Sequence, residues 1–325
     1  MLTDLLQPQT SEHPAIRDPW EAALTFGQGT IVALLVATEG PAYRNAGTMM
    51  AIAADGRFAG AISSGCIEAD LIVQAADLRA STGHCRRLRY GKGSPFMDLV
   101  LPCGGAIELM LFRLRDLDVL RQLQNRRTAR HATSLSIDPQ GRLALTDPLP
   151  ATPFTLCPDG SARISFSPRL KFLIFGAGPE VSVFSALVQG LGYDHLMLSH
   201  EARSLSVAAA MGCRTSRLDH LTGLNGLKID AATACVLFYH DHDYEPAILN
   251  RLLATPSFYI GAQGSRATQV MRLERLREQG ADPAALERVR GPIGLIPSSR
   301  NPRTLAISVL AEIVAEAAHH PIELC

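Results

Sequence analysis

The stretch Lys171-Phe172-Leu173-Ile174-Phe175-Gly176-Ala177-Gly178-Pro179-Glu180-Val181 decides the fold of the second half of the chain. Its apolar run predicts a buried strand, and the glycines followed by proline predict a tight turn into a helix. Such a turn brings backbone N–H groups and the positive end of a helix dipole to one point, which suits an anion. The match to a dinucleotide fingerprint is incomplete, because Val181 replaces the third glycine and Pro179 has no N–H.

Strands and helices alternate from this stretch to the end of the chain. We predict further strands at 195–199, 233–239 and 258–261, and helices at 179–191, 204–211, 244–254 and up to 279. Asn301 followed by Pro302 marks the start of a last helix. Alternation at this spacing is typical of a doubly wound parallel sheet, so the fold class is α/β with a Rossmann-like domain over 169–325.

The first half of the chain is predicted to be a mixed α+β domain over 1–168. Its strands are expected at 31–38, 48–53, 57–62, 85–90 and 106–114, with a helix at 68–80. Residues 116–168 hold a basic helix-like piece and short strands separated by Asp-Pro, Pro-Gln-Gly and Pro-Asp-Gly turns. We interpret this segment as the tail of the first domain and a linker.

The composition of the 325 residues argues against several classes of protein. Lys and Arg number 31, as do Asp and Glu, and this balance argues against a nucleic-acid or membrane-surface protein. No apolar run reaches the roughly 20 residues that cross a bilayer, and the polar start is no signal peptide. The 7 cysteines are scattered without framework spacing, which indicates reduced thiols and a cytoplasmic location.

Two cysteines beside glycines are the strongest candidates for chemistry in the first half. They lie in Gly65-Cys66-Ile67-Glu68 and in Cys103-Gly104-Gly105-Ala106-Ile107-Glu108. A thiolate is a soft ligand and a nucleophile, and glycine lets the backbone approach a bound group. The alternative is that both are small cysteines buried in tight turns. Glu68 and Glu108 either accept protons or hold backbone N–H groups.

Other candidates follow predicted strands or lie in glycine-bounded turns. Ligands of open α/β sheets bind beyond the carboxyl ends of the strands, where we expect Gly176, Gly178, His240, His242, Ser265 and Arg266. The two histidines are metal-ligand candidates, although no third ligand is evident and a polar loop is the alternative. Ser265 and Arg266 suit a phosphate or carboxylate, and a surface ion pair is the alternative for Arg266. Arg44 is a further candidate, which would bind an anionic group. The alternative is that Arg44 is an ordinary exposed charge.

In their order along about residues 30–320, these motifs resemble the XdhC/CoxI family of accessory proteins for molybdenum hydroxylases. The matching pieces are 38–47, Gly65-Cys66-Ile67-Glu68, Cys103-Gly104-Gly105, 175–179, His240-Asp241-His242-Asp243, 259–261 with Gly264-Ser265-Arg266, Pro292-Ile293-Gly294-Leu295, and 310–315. The chain departs from the family at His200, where an acid is usual, and at Ile296-Pro297-Ser298-Ser299. Glu201 is then the remaining acid after the second strand that is available to hold a ribose.

The resemblance implies a chaperone for the molybdenum cofactor, the metal complex of molybdopterin in its mononucleotide or dinucleotide form. Such a protein supports sulfuration of the cofactor by a cysteine desulfurase. It delivers the cofactor to the large subunit of a xanthine dehydrogenase- or aldehyde oxidoreductase-type enzyme. The resemblance also favours a homodimer, and a binding protein over a catalyst.

With this cargo in mind, we hypothesise roles for the candidate residues, because soft ligands lie in the first domain and an anion cradle lies in the second. Cys66 and Cys103 would contact the molybdenum centre or its dithiolene. The cofactor site would include Arg44, Glu68, Gly104, Gly105, His240 and His242, and the cofactor's phosphate or nucleotide would meet Gly176, Gly178, Ser265 and Arg266. Two alternatives remain, namely an NAD(P)-dependent oxidoreductase and a scaffold that docks onto the hydroxylase without catalysis.

Overall fold

The computed structural model describes residues 14, 17–94, 104–148, 153–219, 224, 226–239 and 244–324. The candidate residues Cys103, His240 and His242 lie outside the described residues. Contacts between Cα atoms divide the chain into two units, Met1–Ser167 and Pro168–Cys325. Over the described ranges, no helix has both the length and the apolar character needed to cross a bilayer.

The first unit contains two antiparallel sheets, with the orders β3-β2-β1-β5-β4 (the first sheet) and β7-β6-β9-β8 (the second sheet). Its elements are α1 (Pro19–Phe26), β1 (Ile31–Glu39), β2 (Met49–Ile52), β3 (Phe58–Ala59), α2 (Cys66–Ala80), β4 (Cys85–Gly91), β5 (Ala106–Arg113), α3 (Leu117–Thr128), β6 (Thr133–Ile137), β7 (Leu143–Thr146), β8 (Phe154–Leu156) and β9 (Ala162–Phe166).

Strand β1 is apolar from 31 to 36 because both of its faces are covered. Successive side chains of a strand point to opposite faces. Ile31 and Leu35 pack in a core with helix α2, whereas Val32 and Leu34 pack in a second core with α1, α3 and the second sheet. The continuous apolar run therefore marks the central strand of a sheet between two cores.

Residues 117–148 and 153–166 contribute to this second core, so these described parts of the segment are not a linker. Helix α3 and the second sheet bury Leu120, Leu135, Ile137 and Ile164 in the same cluster as Val32. The Pro-Gln-Gly and Pro-Asp-Gly sequences are the turns of two hairpins, β6–β7 and β8–β9. The hairpins resembled a linker in sequence because their strands are short and their turn residues are frequent.

The second unit has a parallel sheet with the strand order β12-β11-β10-β13-β14-β15. Its elements are β10 (Lys171–Gly176), α4 (Pro179–Gly190), β11 (Asp194–Ser199), α5 (Ala202–Ala210), β12 (Thr215–Arg217), β13 (Thr233–Phe238), α6 (Glu245–Leu253), β14 (Tyr259–Ala262), α7 (Arg266–Glu278), α8 (Pro283–Leu286), β15 (Val289–Arg290) and α9 (Pro302–Ala317).

Helices cover both faces of this parallel sheet, which confirms the predicted doubly wound fold. Phe172 and Ile174 of β10 pack with α4 and α9, and Leu173 and Phe175 pack with α6, α7 and α8. The strand order reverses between β10 and β13, and in open α/β sheets ligands bind in the region beyond the carboxyl ends of the strands at such a reversal. We call this region the sheet crevice.

A buried ion pair fixes two of the segments next to the sheet crevice. Arg272 of α7 and Glu245 at the start of α6 are 2.8 Å apart, with side chains 1% and 2% exposed. The same guanidinium donates a hydrogen bond of 2.6 Å to the backbone oxygen of Gln263, in the loop before α7. The pair therefore ties the start of α6 to the end of β14.

We predict that Gly141→Ala destabilises the first unit by about 1–3 kcal/mol more than Gly160→Ala does. Both glycines lie in hairpin turns at positive φ, 77° and 81°, so both substitutions carry the backbone strain. A Cβ at Gly141 would lie 2.4 Å from Cβ of Phe112, whereas the nearest atom at Gly160 is 3.6 Å away. Urea unfolding of the two variants measures the difference. Equal losses would contradict the packing of the second sheet on β5.

We predict that Arg272→Met lowers the free energy of unfolding of the second unit by about 3–5 kcal/mol, because it leaves Glu245 buried without its cation. The double variant Arg272→Met with Glu245→Leu should be less destabilised than the sum of the two single variants. Denaturant unfolding of the four proteins measures this coupling. Additive losses would show that the pair contributes no interaction of its own.

Candidate functional site

Cys66 is the first residue of helix α2, two residues before the start predicted from the sequence. Gly65 caps this helix at a φ of 134°, in the region that favours glycine. Ile67 is buried and fixes the first turn on the core, while Cys66 is exposed. The alternative of a buried cysteine therefore does not hold for Cys66, whose thiol is accessible at the positive end of a helix dipole.

Glu68 holds the turn that presents this thiol. Its carboxylate accepts hydrogen bonds of 2.8 Å from the N–H groups of Ile62 and Gly65 and of 2.6 Å from the Ser63 hydroxyl, and a further one from the Ser63 N–H. Burial, which leaves Glu68 5% exposed, raises its pKa, but the hydrogen bonds from Ser63 and Ile62 outweigh it and the pKa is lowered. Glu68 thus positions the turn and stays charged.

The segment that follows Cys103 packs against the loop after β1. Ala106 pairs with Glu39 of β1 and with Gly91 of β4. A Cβ at Gly105 would lie 2.3 Å from the Pro41 backbone oxygen, so no side chain fits there, while Gly104 is exposed. Ala42 in turn packs on the core cluster that holds Ile67. The loop after β1, the Cys66 turn and the Gly104 loop therefore lie at one end of the first sheet, which we call the thiol end.

Charged side chains surround the thiol end. Arg89 of β4 forms ion pairs with Glu39 and with Glu108, at 2.7 Å for the second pair, and its hydrogen bond holds the pKa of Glu39 below the usual range. The Glu108 carboxylate therefore pairs with the Arg89 guanidinium, whereas the Glu68 carboxylate holds backbone N–H groups. Arg44 is exposed, and its guanidinium lies 5.0 Å from the centre of the Tyr43 ring. Arg44 is thus a surface cation of the loop after β1.

In the second unit, the Gly176–Gly178 turn uses its own donors internally. A Cβ at Gly176 would lie 2.4 Å from the Phe238 backbone oxygen, so glycine permits the close approach of β10 and β13. The Ala177 N–H donates to that same oxygen at 3.3 Å, and the Gly178 N–H donates to the Ser204 hydroxyl at 2.9 Å and to Glu201 at 3.2 Å. Pro179 has no N–H. These internal contacts disfavour the phosphate role expected for Gly176 and Gly178.

Glu201 accepts a hydrogen bond from the N–H of Gly178 in this turn. It stands at the N-cap position of helix α5, and its carboxylate accepts a hydrogen bond from the Ser204 hydroxyl, which is the main reason its pKa is lowered. Its own N–H donates to the Ser199 hydroxyl at 3.0 Å. Glu201 thus makes an internal contact where a ribose contact was expected, and Ser204, three residues on, was the sequence signal for that contact.

An aromatic stack lies across the sheet crevice. The ring centres of His200 and Tyr244 are 4.2 Å apart with the planes at 7°, and His200 also stacks on Tyr239 at 5.8 Å. His200 follows β11 and Tyr239 follows β13, which are the two neighbours of β10, so the stack bridges the carboxyl end of β10. Within the described ranges, His200 Nδ1 and Tyr239 Oη are buried without a hydrogen-bond partner. Sequence reasoning did not identify this stack, although the tyrosines flank the histidine motif.

The start of helix α7 is the other predicted anion contact. The Ser265 hydroxyl accepts from the Thr268 N–H at 3.1 Å and caps this 13-residue helix, and Arg266 is exposed. Arg266 forms no ion pair with another described residue, so the alternative of a surface pair is not observed there. Across the described part of the chain, no three His, Cys, Asp or Glu side chains converge as a metal site would require.

The motif Pro292-Ile293-Gly294-Leu295 is held to helix α9 by Glu312, which acts on its turn as Glu68 and Glu201 act on theirs. Glu312 accepts a hydrogen bond from the Gly294 N–H and another of 2.8 Å from the Tyr259 hydroxyl. The Ile296 N–H donates to the Ser308 hydroxyl at 2.7 Å. Ile296 is the first residue of the stretch that departs from the family pattern, and this hydrogen bond fixes it to α9.

Comparison with known proteins gives matches over both units. The family described as "XdhC Rossmann domain" matches residues 172–313, and the family described as "XdhC and CoxI family" matches residues 23–91. A solved structure described as a xanthine dehydrogenase from Bacillus halodurans superposes with a TM-score of 0.73 at 20% identity, covering 94% of this chain and 97% of that one. At this identity the superposition supports the fold alone.

Two curated relatives align over most of the chain. The "Molybdenum cofactor insertion chaperone PaoD" of Escherichia coli (strain K12) is 33% identical over 316 residues, which cover 97% of this chain and 92% of the relative. A protein of Bacillus subtilis (strain 168) named as a probable xanthine dehydrogenase subunit is 23% identical, over 90% of this chain and 95% of the relative. The resemblance expected from the motifs is therefore confirmed, and the chain is a member of the XdhC and CoxI family.

Proposed function

We propose that this protein binds the molybdenum cofactor as cargo at the thiol end and keeps it for insertion into a molybdenum hydroxylase. The observation that carries the proposal is the exposed Cys66 thiol at the start of α2, in a turn held by Glu68. The alignment of nearly the whole chain with the relative named as a molybdenum cofactor insertion chaperone supports the same role.

The chemistry of a thiol fits this cargo. Thiolates are soft ligands that suit a transition metal with sulfur neighbours, and a helix N-terminus favours an anion at this position. Cys66 is exposed, whereas Cys85 and Cys157 are half-buried and Cys213 and Cys235 are buried. Burial raises the pKa of the Cys85 thiol, which makes Cys85 a poor thiolate at neutral pH. We therefore assign Cys66 as the sulfur ligand of the cargo, with Cys103 as the second thiol.

The thiol end also offers contacts for the charged part of the cargo. Arg44 is an exposed cation, and a guanidinium matches the geometry of a phosphate. Gly104 is exposed, so its backbone is open to a bound group, whereas Gly105 is buried against the Pro41 backbone oxygen and fixes this loop. We propose Arg44 as the phosphate contact and Glu68 as a positioning residue. In the second unit, we propose Ser265 and Arg266 as an anion contact. We propose His240 and His242 as polar contacts.

The partners follow from this role as part of the proposal. The cargo passes to the large subunit of a xanthine dehydrogenase- or aldehyde oxidoreductase-type enzyme, after a cysteine desulfurase has supplied the sulfur. The names of the two curated relatives support an accessory role of this kind. We further propose a cytoplasmic homodimer, and either nucleotide form of the cofactor as cargo.

An NAD(P)-dependent oxidoreductase is the competing function. The turn donors that would hold a pyrophosphate are used by Phe238, Ser204 and Glu201, which disfavours a dinucleotide in the sheet crevice. A titration followed by NADH fluorescence separates the two functions. Saturable NADH binding with turnover of a small carbonyl substrate would favour the oxidoreductase.

We predict that Cys66→Ala loses most of the bound cofactor, because the variant lacks the sulfur ligand. The protein is incubated anaerobically with cofactor released from a molybdoenzyme and is then separated by gel filtration. Retained molybdenum and pterin are measured by elemental analysis and by fluorescence. Cys157→Ala removes a half-buried thiol in a turn of the same unit and should retain cofactor like the wild type. Full retention by both Cys66→Ala and Cys103→Ala would refute the thiol role.

We predict that Glu68→Gln weakens cofactor retention by about tenfold or more, although the thiol remains, because the turn loses its charged acceptor. The pKa of Glu68 is lower in the folded chain, so its charge stabilises the fold above the ordinary carboxyl pKa. This advantage over Glu68→Gln should disappear as the pH falls through the lowered pKa. Thermal unfolding against pH tests this, with the exposed Asp77→Asn of the same helix as control. An advantage that is independent of pH would contradict the role of the charge.

A further inference from the structure

The sheet crevice has the strand order of a dinucleotide site, yet the N–H groups of Ala177 and Gly178 in its turn are already hydrogen-bonded within the chain. In such sites, the N–H groups of the glycine turn and the helix N-terminus contact the pyrophosphate. Here the N–H groups of Ala177 and Gly178 are used by Phe238, Ser204 and Glu201. Position 179 is a proline. Three consecutive positions of the turn are thus without an available N–H.

We infer that the Glu201 carboxylate is the resident anion of this turn and makes the sheet crevice selective against ligands that carry a phosphate there. The carboxylate accepts from the Gly178 N–H at 3.2 Å and is held in place by the Ser204 hydroxyl. A phosphate would have to displace it and would meet a like charge, which disfavours binding. Glu180, in the first turn of α4, adds a second carboxyl group near the turn. Glu201 is therefore a specificity-determining residue.

The aromatic stack leaves no space for the base of a nucleotide between the His200 and Tyr244 rings, independently of Glu201. A dinucleotide lies across the crevice at the point where the strand order reverses, and here the rings of His200 and Tyr244 meet across the end of β10. Their centres are 4.2 Å apart. A third ring between them would need about 7 Å, because each stacked contact takes about 3.5 Å. Side chains therefore fill the space at the Gly178 N–H and the space between the two rings.

This inference is independent of the role proposed for Cys66. It concerns residues of the second unit only, and its test contains no molybdenum cofactor. Loss of cofactor from Cys66→Ala would leave it unchanged, and its own failure would leave the thiol role standing.

The test measures ADP binding by calorimetry, because ADP carries both a base and two phosphates. The proteins are the full chain, Glu201→Ala and Glu201→Gln, each with His200 intact and with His200→Ala so that the stack does not mask the effect. Glu278→Gln is the control, since Glu278 is an exposed carboxylate at the end of α7. Circular dichroism and thermal unfolding establish that each variant is folded.

We expect no saturable ADP binding by the wild type and by the control. Removing the carboxylate should strengthen ADP binding at least about tenfold in the His200→Ala background, which corresponds to about 1.4 kcal/mol. Glu201→Gln keeps the size of the side chain and should change the affinity in the same direction, so the test stands if Glu201→Ala does not fold. Equal ADP affinity with and without the Glu201 charge in both backgrounds, including no binding throughout, would overturn the inference.

Discussion

Glutamate carboxylates that accept backbone N–H groups of glycine turns are the interactions on which the described sites depend. Gly65 donates to Glu68, Gly178 to Glu201 and Gly294 to Glu312. Each glycine lies at positive φ, where the backbone turns sharply and an N–H needs an acceptor outside regular secondary structure. The three turns begin helix α2, begin helix α4 and join the loop after β15 to α9. A carboxylate therefore fixes each of these motif turns.

The chemical result differs from one turn to the next. At Cys66, the carboxylate of Glu68 occupies the inner side of the turn, and the thiol remains exposed. At Gly178, the carboxylate of Glu201 occupies the side on which a ligand phosphate would bind. The same interaction thus presents a functional group in the first unit and occupies an anion position in the second. We regard this contrast as the basis of the selectivity proposed for the sheet crevice.

Much of the fold was predictable from the sequence because its signals are local. The apolar run at 171–175 followed by glycines predicted β10 and its turn, and the continuous run at 233–239 predicted β13. The second sheet was missed because β7 and β8 have only 4 and 3 residues and expose part of their side chains. Short hairpins of this kind gain their stability from packing on a neighbouring sheet, and a local pattern does not report that packing.

The site was predictable to a smaller extent. The sequence identified Cys66 and the turn before it, because glycine, cysteine and glutamate lie within four positions. It did not identify the contact between Gly178 and Glu201, which are 23 residues apart, or the stack of His200 on Tyr244. Both arise because parallel strands bring the ends of distant segments to one edge of the sheet. Such contacts depend on the strand order, which the local pattern does not specify.

The Cys66 thiolate, presented by the Glu68 turn, is proposed as a ligand of the molybdenum in the cargo, and the function proposed for the chain depends on it. X-ray absorption at the molybdenum K-edge tests this ligand most directly, on the wild type and on the residual complex of Cys66→Ala at matched molybdenum content. We expect one more sulfur neighbour of molybdenum in the wild type than in the variant. Identical sulfur coordination in the two complexes would contradict a thiolate ligand from Cys66.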